Sequence, residues 1–495
     1  MDQLLPGVSN ISIANDSNGN IIITNARLPF ADKAESSKTW AIEIHAGRVV
    51  KVSSSNDDDD DAVGTPESRD PSTCTAVDAQ GGLVLPSDFR EAMQVTKAAK
   101  SEFPKRLEDL HARGARIIEE SVEHGVTAIR AHVEIDTSVG FACLEAALTL
   151  QREYRAHCDV QIAIFAQEPL FDSGGSVDHR KPGRNFELLE EASLRHGVSV
   201  VGSAPYVEPS IAQAKMNVGL IFDIADARGI DHVDFHLDYN LDPESEPLIY
   251  EVIAQAKKRY QTTPRGDPDG SQQAMVSSSR SSIDAEDAAD APISHTTSPS
   301  KRPCPRITIG HATRLQLFSP EQWRALIDAI SDLPIVFVGL PQSDMYMQGR
   351  SFWDAPLGAP RGTLRVPYLH EKYGIEIAMS VNNVENAFTP QGSLDPLSLC
   401  TFGVGVFQAA TPAAIRSLVR SVTLTSKRAM GLDLPYLNPT PRDLTPSIGD
   451  TADFVILHKR ASLQSAVLNP PFERTTIKAG RVVACKRGAA WLAPR

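Results

Sequence analysis

The feature that most constrains the fold is a repeating alternation of apolar runs and helical patterns between residues 126 and 430. Seven of the runs are short and rich in Val, Ile and Phe, which is typical of buried strands. These runs begin at residues 126, 160, 198, 233, 307, 335 and 375. Because apolar strands separated by helices form a parallel sheet that the helices cover, the sequence predicts an α/β fold.

Two arrangements of such a sheet satisfy the pattern. Seven βα units are close to the eight of a TIM-type (β/α)8 barrel, which is the architecture we predict. A doubly wound open sheet is the structural alternative. No G-x-G-x-x-G or Walker pattern follows any of the runs, and this counts against nucleotide binding.

Polar residues follow several of the strands, at the end where a barrel carries its active site. The runs that begin at residues 233 and 307 end in His236 and His311. Two histidines at equivalent strand ends, beside carboxylates and amides, suit a metal ion that activates water. A lone strand-end histidine is more often structural, and we favour that interpretation for His132. Asp231 and His232 precede their strand and are expected at the surface.

Composition argues against several classes of function. The formal net charge of -13 counts against a surface for nucleic acid or anionic membranes, although Asp57–Asp61 contribute part of it. The six cysteines are scattered without a CxxC pair, as is typical of free thiols in a reducing compartment. We find no signal peptide and no apolar stretch of about 20 residues, so we predict a soluble, cytoplasmic protein.

Both ends of the chain are rich in short strand patterns. They occur in residues 20–52 and 77–86, and again in residues 449–457 and 478–484. We predict that the ends pair into one small β-sandwich, because isolated hairpins are marginally stable in water. Two independent hairpins are the alternative. The predicted domains are residues 1–87 and 436–495 for the sandwich and residues 88–435 for the barrel.

Two segments of low complexity interrupt these domains. Residues 53–73 form an acidic stretch rich in Ser, Asp and Pro, and residues 261–305 are similarly polar without an apolar period. Neither can bury enough apolar surface to fold, so we predict that both are disordered.

Several motifs, in order along most of the chain, resemble the amidohydrolase superfamily and specifically its cytosine-deaminase-like branch. The closing phrase GDTADFVIL at residues 449–457 is also similar to that family's small sandwich. The barrel motifs are RAHVEID (130–136), IFAQEPLF (164–171), HVDFHLDYNLD (232–242), ITIGHATR (307–314), MYMQGR (345–350) and SVNNVENAFTPQGSLDPL (380–397).

The resemblance implies a mononuclear metal site that hydrolyses or deaminates a cyclic C–N bond. One divalent ion, zinc, iron or manganese, would be the cofactor. His236 would be a metal ligand, and His311 would orient the attacking water or the developing charge on the substrate. Gln167 would contact the amide edge of the substrate, and Asp238 and Asn383 are further candidates for binding it.

Two residues depart from the family pattern at the site. Asn382 stands where the family has an aspartate that binds the metal and accepts a proton, and an amide cannot take up a proton at neutral pH. Tyr239 stands where the family has a glutamate that shuttles the proton. A tyrosine can donate a proton but is a poor base. Both remain candidate catalytic residues together with His311.

The third departure is the lack of a His-x-His pair, which in the family ends the first barrel strand and supplies two ligands. Leu83–Ser87 resembles the phrase that precedes that strand, yet it runs directly into the helical pattern that begins at Asp88. We infer that a segment on the order of 25 residues, which would carry the first strand of the (β/α)8 barrel, is absent from the sequence.

Two hypotheses about function follow. The first is a metal-dependent hydrolase that acts on C–N bonds other than peptide bonds in a small molecule. The second is a catalytically inactive barrel that binds a small molecule or a partner protein. A homo-oligomer is compatible with either, and neither requires nucleic acid or a membrane.

Overall fold

The computed structural model describes most of the chain between residue 100 and residue 488, and four short strands before it. The described residues are 21–26, 40–45, 48–54, 75–78, 100–171, 181–260, 302–330, 333–348, 362–386, 389–432, 444–445 and 450–488. Most of the two predicted low-complexity segments and the junction at Ser87 and Asp88 lie outside them. Ser53 and Ser54 belong to a strand, so the first of those segments begins later than predicted.

The chain divides into two compact units, Met1–Gln94 with Ala489–Arg495 and Val95–Gly488. The first unit contains a four-stranded sheet in the order β3-β2-β1-β4. Strands β2 and β3 are antiparallel to their neighbours, and β4 is parallel to β1. These strands are β1 (Ile21–Ala26), β2 (Trp40–His45), β3 (Arg48–Ser54) and β4 (Thr75–Asp78). Strand β4 starts two residues before the predicted run at Val77.

The second unit is built on a seven-stranded parallel sheet whose strands follow one another in chain order. Each apolar run of the sequence forms one strand, so the predicted parallel sheet is confirmed. The strands are β5 (Ala128–Glu134), β6 (Asp159–Ala166), β7 (Val198–Ser203), β8 (His232–Leu237), β9 (Arg306–His311), β10 (Ile335–Gly339) and β11 (Ile377–Met379).

Helices alternate with these strands and bury their apolar faces against the sheet. Those that precede or connect the strands are α1 (Leu107–Glu123), α2 (Ala142–Glu153), α3 (Arg184–Ala192), α4 (Ile211–Arg228), α5 (Ile249–Tyr260), α6 (Pro320–Ile330), α7 (Pro341–Met347) and α8 (Val366–Tyr373). Those that follow the sheet are α9 (Pro396–Phe407), α10 (Pro412–Ser421), α11 (Leu424–Ala429) and α12 (Leu463–Leu468).

Local signals set the ends of several helices. Ser210 caps α4 by accepting a hydrogen bond from the Gln213 N–H, and Gly229 ends this helix in the left-handed conformation that suits glycine. A capping box precedes α6. The Ser319 hydroxyl accepts from the Gln322 N–H, and the Gln322 side chain accepts in return from the Ser319 N–H.

The parallel sheet is strongly curled. Strands β5 and β8 are three positions apart in the sheet, which would separate them by about 14 Å if it were flat. The ring centroids of His132 on β5 and His236 on β8 nevertheless lie 4.9 Å apart. Such contacts across the concave side require a half-barrel, which fits the predicted TIM-type architecture and not an open, flat sheet. Among the described residues, β5 and β11 each pair with one strand only.

A third sheet lies near the end of the chain and belongs to the second unit. It consists of β12 (Phe454–Leu457), β13 (Arg474–Lys478) and β14 (Arg481–Lys486), paired in antiparallel order. The buried guanidinium of Arg474 ties it to the barrel by hydrogen bonds to both carboxylate oxygens of Asp395, the N-cap residue of α9. The predicted sandwich of both chain ends stays a prediction.

No helix within the described residues is long and apolar enough to cross a membrane.

Candidate metal centre at the strand ends

The side chains that meet inside the half-barrel alternate along their strands. Successive residues of a strand point to opposite faces, so every second residue shares a face. Arg130, His132 and Glu134 lie on one face of β5, and Asp234 and His236 lie on one face of β8. The curl of the sheet brings these two faces together at the carboxyl ends of the strands.

His132, Asp234 and His236 form the central cluster. The Nε2 atom of His132 lies 3.2 Å from Oδ2 of Asp234, and the Nε2 atom of His236 lies 3.9 Å from Oδ1 of the same carboxylate. The Asp234 side chain is 2% exposed and that of His132 is 34% exposed, so the cluster is deep at one side and open at the other. Phe165 on β6 packs against the His236 ring with a centroid distance of 4.5 Å.

The electrostatics of the cluster suit metal binding. Burial opposes the charge of Asp234, but His132, the Arg130 guanidinium and His236 outweigh it and hold the pKa of this carboxyl well below its usual value. Burial, reinforced by the nearby His132 and His311, lowers the pKa of His236 well below its usual value. At neutral pH, therefore, Asp234 is ionised and the His236 imidazole is neutral, which are the forms that bind metals.

The donor atoms present fit a divalent metal. One ligand atom from each of the three residues lies within 4.8 Å of the others. In a tetrahedral site with bonds of about 2.0–2.1 Å, ligand atoms are about 3.4 Å apart. The distance of 3.9 Å between Nε2 of His236 and Oδ1 of Asp234 is close to this value. Moreover, Oδ1 of Asp234 is buried and accepts no hydrogen bond from the described residues, which is costly unless a cation satisfies it.

His311 lies beside this cluster and is held by a carboxylate. Its ring meets that of His236 edge to face, with centroids 5.1 Å apart, and lies against Tyr239 with centroids 3.9 Å apart. Its Nδ1 atom lies 2.8 Å from Oδ1 of the buried Asp344. The other oxygen of Asp344 accepts hydrogen bonds from the Thr363 hydroxyl and the Leu340 N–H. This leaves Nε2 of His311 as the nitrogen without the carboxylate partner.

The backbone is strained where these strands end. Asp238, His311 and Ala312 have φ values of 53°, 66° and 52°, a left-handed region that residues other than glycine seldom adopt. Both oxygens of the buried Asp238 accept backbone N–H groups, from Leu248 and Ile249. The carboxylate of Asp238 therefore supports the loop after β8, and its role in substrate binding stays a prediction.

The remaining predicted residues lie around the mouth of the half-barrel, at the carboxyl ends of its strands. The amide of Gln167 donates to the Tyr206 hydroxyl at 3.2 Å, and the amide of Asn382 donates to the Ser343 hydroxyl at 2.9 Å. Asn383 is exposed. The predicted residues thus line one end of the sheet, while the catalytic and binding roles of Gln167, Asn382 and Asn383 stay predictions.

A second group of carboxylates near the mouth already has its own cation. The ammonium of Lys100 lies 2.6 Å from Glu134, 2.9 Å from Asp136 and 2.9 Å from Glu168. Burial raises the pKa of Glu134 to about 7, against the attraction of Lys100. The Lys100 ammonium therefore already occupies the position among these carboxylates that a metal ion would take.

Two of the three clustered residues were not predicted as ligands. We expected His132 to be structural, whereas its ring lies in the cluster. Asp234 is not among the predicted site residues, although a carboxylate two residues before His236 shares its face of the strand and is a usable signal. His232, expected at the surface, begins β8, and burial with the charges of Arg130 and Arg306 lowers its pKa to about 4.

The known proteins that resemble this chain include deaminases and an aminohydrolase. No family model matches the chain. A pterin deaminase from Rhizobium rhizogenes is 26% identical over 180 residues, which span 36% of this chain and only 38% of that protein. Among solved structures, a 5-methylcytosine deaminase from Klebsiella pneumoniae liganded with 5-fluorocytosine has a TM-score of 0.61 at 20% identity, with 96% of this chain and 99% of that chain covered.

A second solved structure is N-isopropylammelide isopropylaminohydrolase from Burkholderia multivorans. It has a TM-score of 0.54 at 18% identity and covers 94% of this chain and 99% of its own. At sequence identities of 20% and 18%, the similarity to these two structures shows the fold alone. The chain has the fold of these two enzymes, in agreement with the resemblance predicted from its motifs, and the absence of the first-strand segment stays a prediction.

Proposed function

We propose that the chain is a metal-dependent hydrolase that cleaves C–N bonds, other than peptide bonds, in small cyclic compounds. The observation that carries the proposal is the buried carboxylate of Asp234, which lies between the His132 and His236 imidazoles and whose Oδ1 atom accepts no hydrogen bond from the described residues. The 5-methylcytosine deaminase and the aminohydrolase that share the fold, and the pterin deaminase that matches part of the sequence, support the type of bond.

His132, Asp234 and His236 would hold the divalent ion, which is zinc, iron or manganese. A metal of this kind supplies a water molecule that is more acidic than bulk water and therefore nucleophilic at neutral pH. The open side of the cluster, at the partly exposed His132, leaves room for water and substrate to reach that position.

The other residues at the mouth act on the substrate. His311, which Asp344 holds through Nδ1, presents Nε2 to the water or to the charge that develops on the ring. Gln167, Asn382 and Asn383 offer amide groups that match the amide edge of a heterocycle. Tyr239, whose ring lies against His311, would donate a proton to the leaving group.

The experiment is metal analysis combined with an ammonia-release assay. Purified protein should contain about one equivalent of zinc, iron or manganese per chain, the stoichiometry of a single-metal site. It should release ammonia from at least one of cytosine, 5-methylcytosine or a pterin. His236→Ala should lose both the metal and the activity.

His232→Ala is the matched control, because His232 lies on the same strand at the end away from the site. This variant should retain the metal. Protein that stays free of metal after incubation with each of the three ions would overturn the proposal and favour an inactive binding protein. The small-molecule substrate, the oligomeric state and the cytoplasmic location stay predictions.

A further inference from the structure

We infer that Arg130 is the positioning residue of the proposed metal site and acts through Asp234. The inference rests on the proposed function, because it concerns the same site. Arg130 lies on β5, two residues before His132 and on the same face of the strand. Its side chain is 7% exposed, and its guanidinium extends beneath the cluster to the far side of the half-barrel.

The guanidinium makes four hydrogen bonds to four different elements. It donates to Oδ2 of Asp234 at 2.8 Å and to the Thr308 hydroxyl of β9 at 2.6 Å. It also donates to the Gln161 side chain of β6 at 2.8 Å and to the Ala429 carbonyl at the end of α11 at 2.9 Å. A planar group bonded in this way at all three nitrogens cannot turn or slide.

In this arrangement the two carboxylate oxygens of Asp234 have different contacts. Oδ2 accepts from Arg130 and lies 3.2 Å from His132, whereas Oδ1 accepts no hydrogen bond and faces His236. Because the fixed guanidinium holds Oδ2, the carboxylate cannot rotate and offers Oδ1 alone as a ligand.

A lysine at this position would keep the charge and lose the geometry. An ammonium is a compact point charge on a flexible chain, and it cannot bond the four acceptors at once. We therefore expect Arg130→Lys to release the carboxylate from its fixed orientation. Residues that orient a metal ligand typically change metal affinity by about 10–100-fold when they are replaced.

Arg306→Lys is the matched control. Arg306 begins β9 and donates to the Arg428 carbonyl at 2.8 Å, in the same helix end that Arg130 contacts. The two substitutions therefore remove the same kind of bond to the same segment, but only one of them touches the carboxylate. A second variant, Thr308→Val, removes one of the four bonds and leaves Arg130 and its charge in place.

The test is titration of the metal-free full-length protein with Co²⁺, followed by visible absorption, together with urea unfolding of each variant. Arg130→Lys should raise the Co²⁺ dissociation constant about 10–100-fold and change the absorption bands that report coordination geometry. Thr308→Val should raise the constant by less, and Arg306→Lys should leave both constant and spectrum unchanged even where it lowers stability.

Equal Co²⁺ affinity and identical spectra for Arg130→Lys and the wild type would overturn the inference while the proposed function stands. An equal loss of affinity in Arg130→Lys and Arg306→Lys would also overturn it, because it would indicate a general structural effect. A wild-type protein that binds no Co²⁺ would contradict both proposals.

Discussion

At the scale of single residues, the contact between His311 and Asp344 determines which imidazole nitrogen is available for chemistry. The carboxylate accepts the Nδ1 proton, and its other oxygen is occupied by Thr363 and the Leu340 N–H. In Asp344→Asn, an amide NH2 group must face one of these donors. We expect the His311 tautomer to change and kcat to fall by about 10²–10⁴-fold, the range seen when a catalytic histidine loses its partner.

The measurements for Asp344→Asn are ¹⁵N chemical shifts of the His311 ring and steady-state kinetics. Thr363→Val serves as the control, since it leaves the bond between His311 and Asp344 in place. An Asp344→Asn protein with the wild-type tautomer and the wild-type kcat would show that the carboxylate does not position the histidine.

Residue-level prediction from the sequence succeeds where a strand ends and fails where the sheet curls. His236 and His311 stand directly after apolar runs, so their location at the strand ends could be predicted. The cluster of His132 with Asp234 could not, because their strands are far apart in the sheet and 102 residues separate the two positions along the chain. No local pattern records how closely such strands approach across a half-barrel.

At the scale of secondary-structure elements, β9 serves as the surface against which the His236 ring lies. A Cβ atom built on Gly310 would be 2.6 Å from Cδ2 and 3.0 Å from Nε2 of His236, closer than the two groups can approach. We expect Gly310→Ala to displace the ring and to weaken metal binding by about tenfold or more, as loss of ligand orientation does.

Gly339→Ala on the neighbouring strand β10 is the control for this substitution. A Cβ atom there would have its nearest contact at 3.8 Å, so alanine fits. Calorimetric titration with Zn²⁺ compares the two variants. Equal affinities in both would contradict the idea that the Gly310 backbone sets the position of His236.

The sequence predicted the strands better than it predicted their limits. All seven parallel strands were expected from apolar runs, yet β11 contains only Ile377–Met379 of the run from Ile375 to Val381. A strand extends only as far as its partner pairs with it, and β11 pairs along three residues of β10. Apolar composition reports burial and does not report register.

At the scale of the whole molecule, the prediction to be tested is that both chain ends form one small domain. The last sheet leaves apolar side chains exposed. Val455, Ile456 and Val482 are 37%, 46% and 65% exposed. If strands β1–β4 and β12–β14 form one cooperative domain, their amides should exchange with a single opening free energy in native-state hydrogen exchange.

Mass spectrometry or NMR can follow this exchange, with the amides of β6 as an internal standard for the barrel. Amides of β1–β3 that exchange as fast as an unfolded chain, while β13 stays protected, would instead support two independent sets of strands.

The hydrogen bonds of Arg130 join positions that are far apart along the chain, and this has a consequence for folding. Its partner Asp234 lies 104 positions later in the chain, and its partner Thr308 lies 178 positions later. Contacts between such distant positions require large loops to close, and the entropy cost of closing them slows folding. Until then Asp234 must remain hydrated, because an unpaired carboxylate inside the growing sheet is strongly unfavourable. We therefore expect the carboxylate of Asp234 to lose its water only once β5, β8 and β9 have come together.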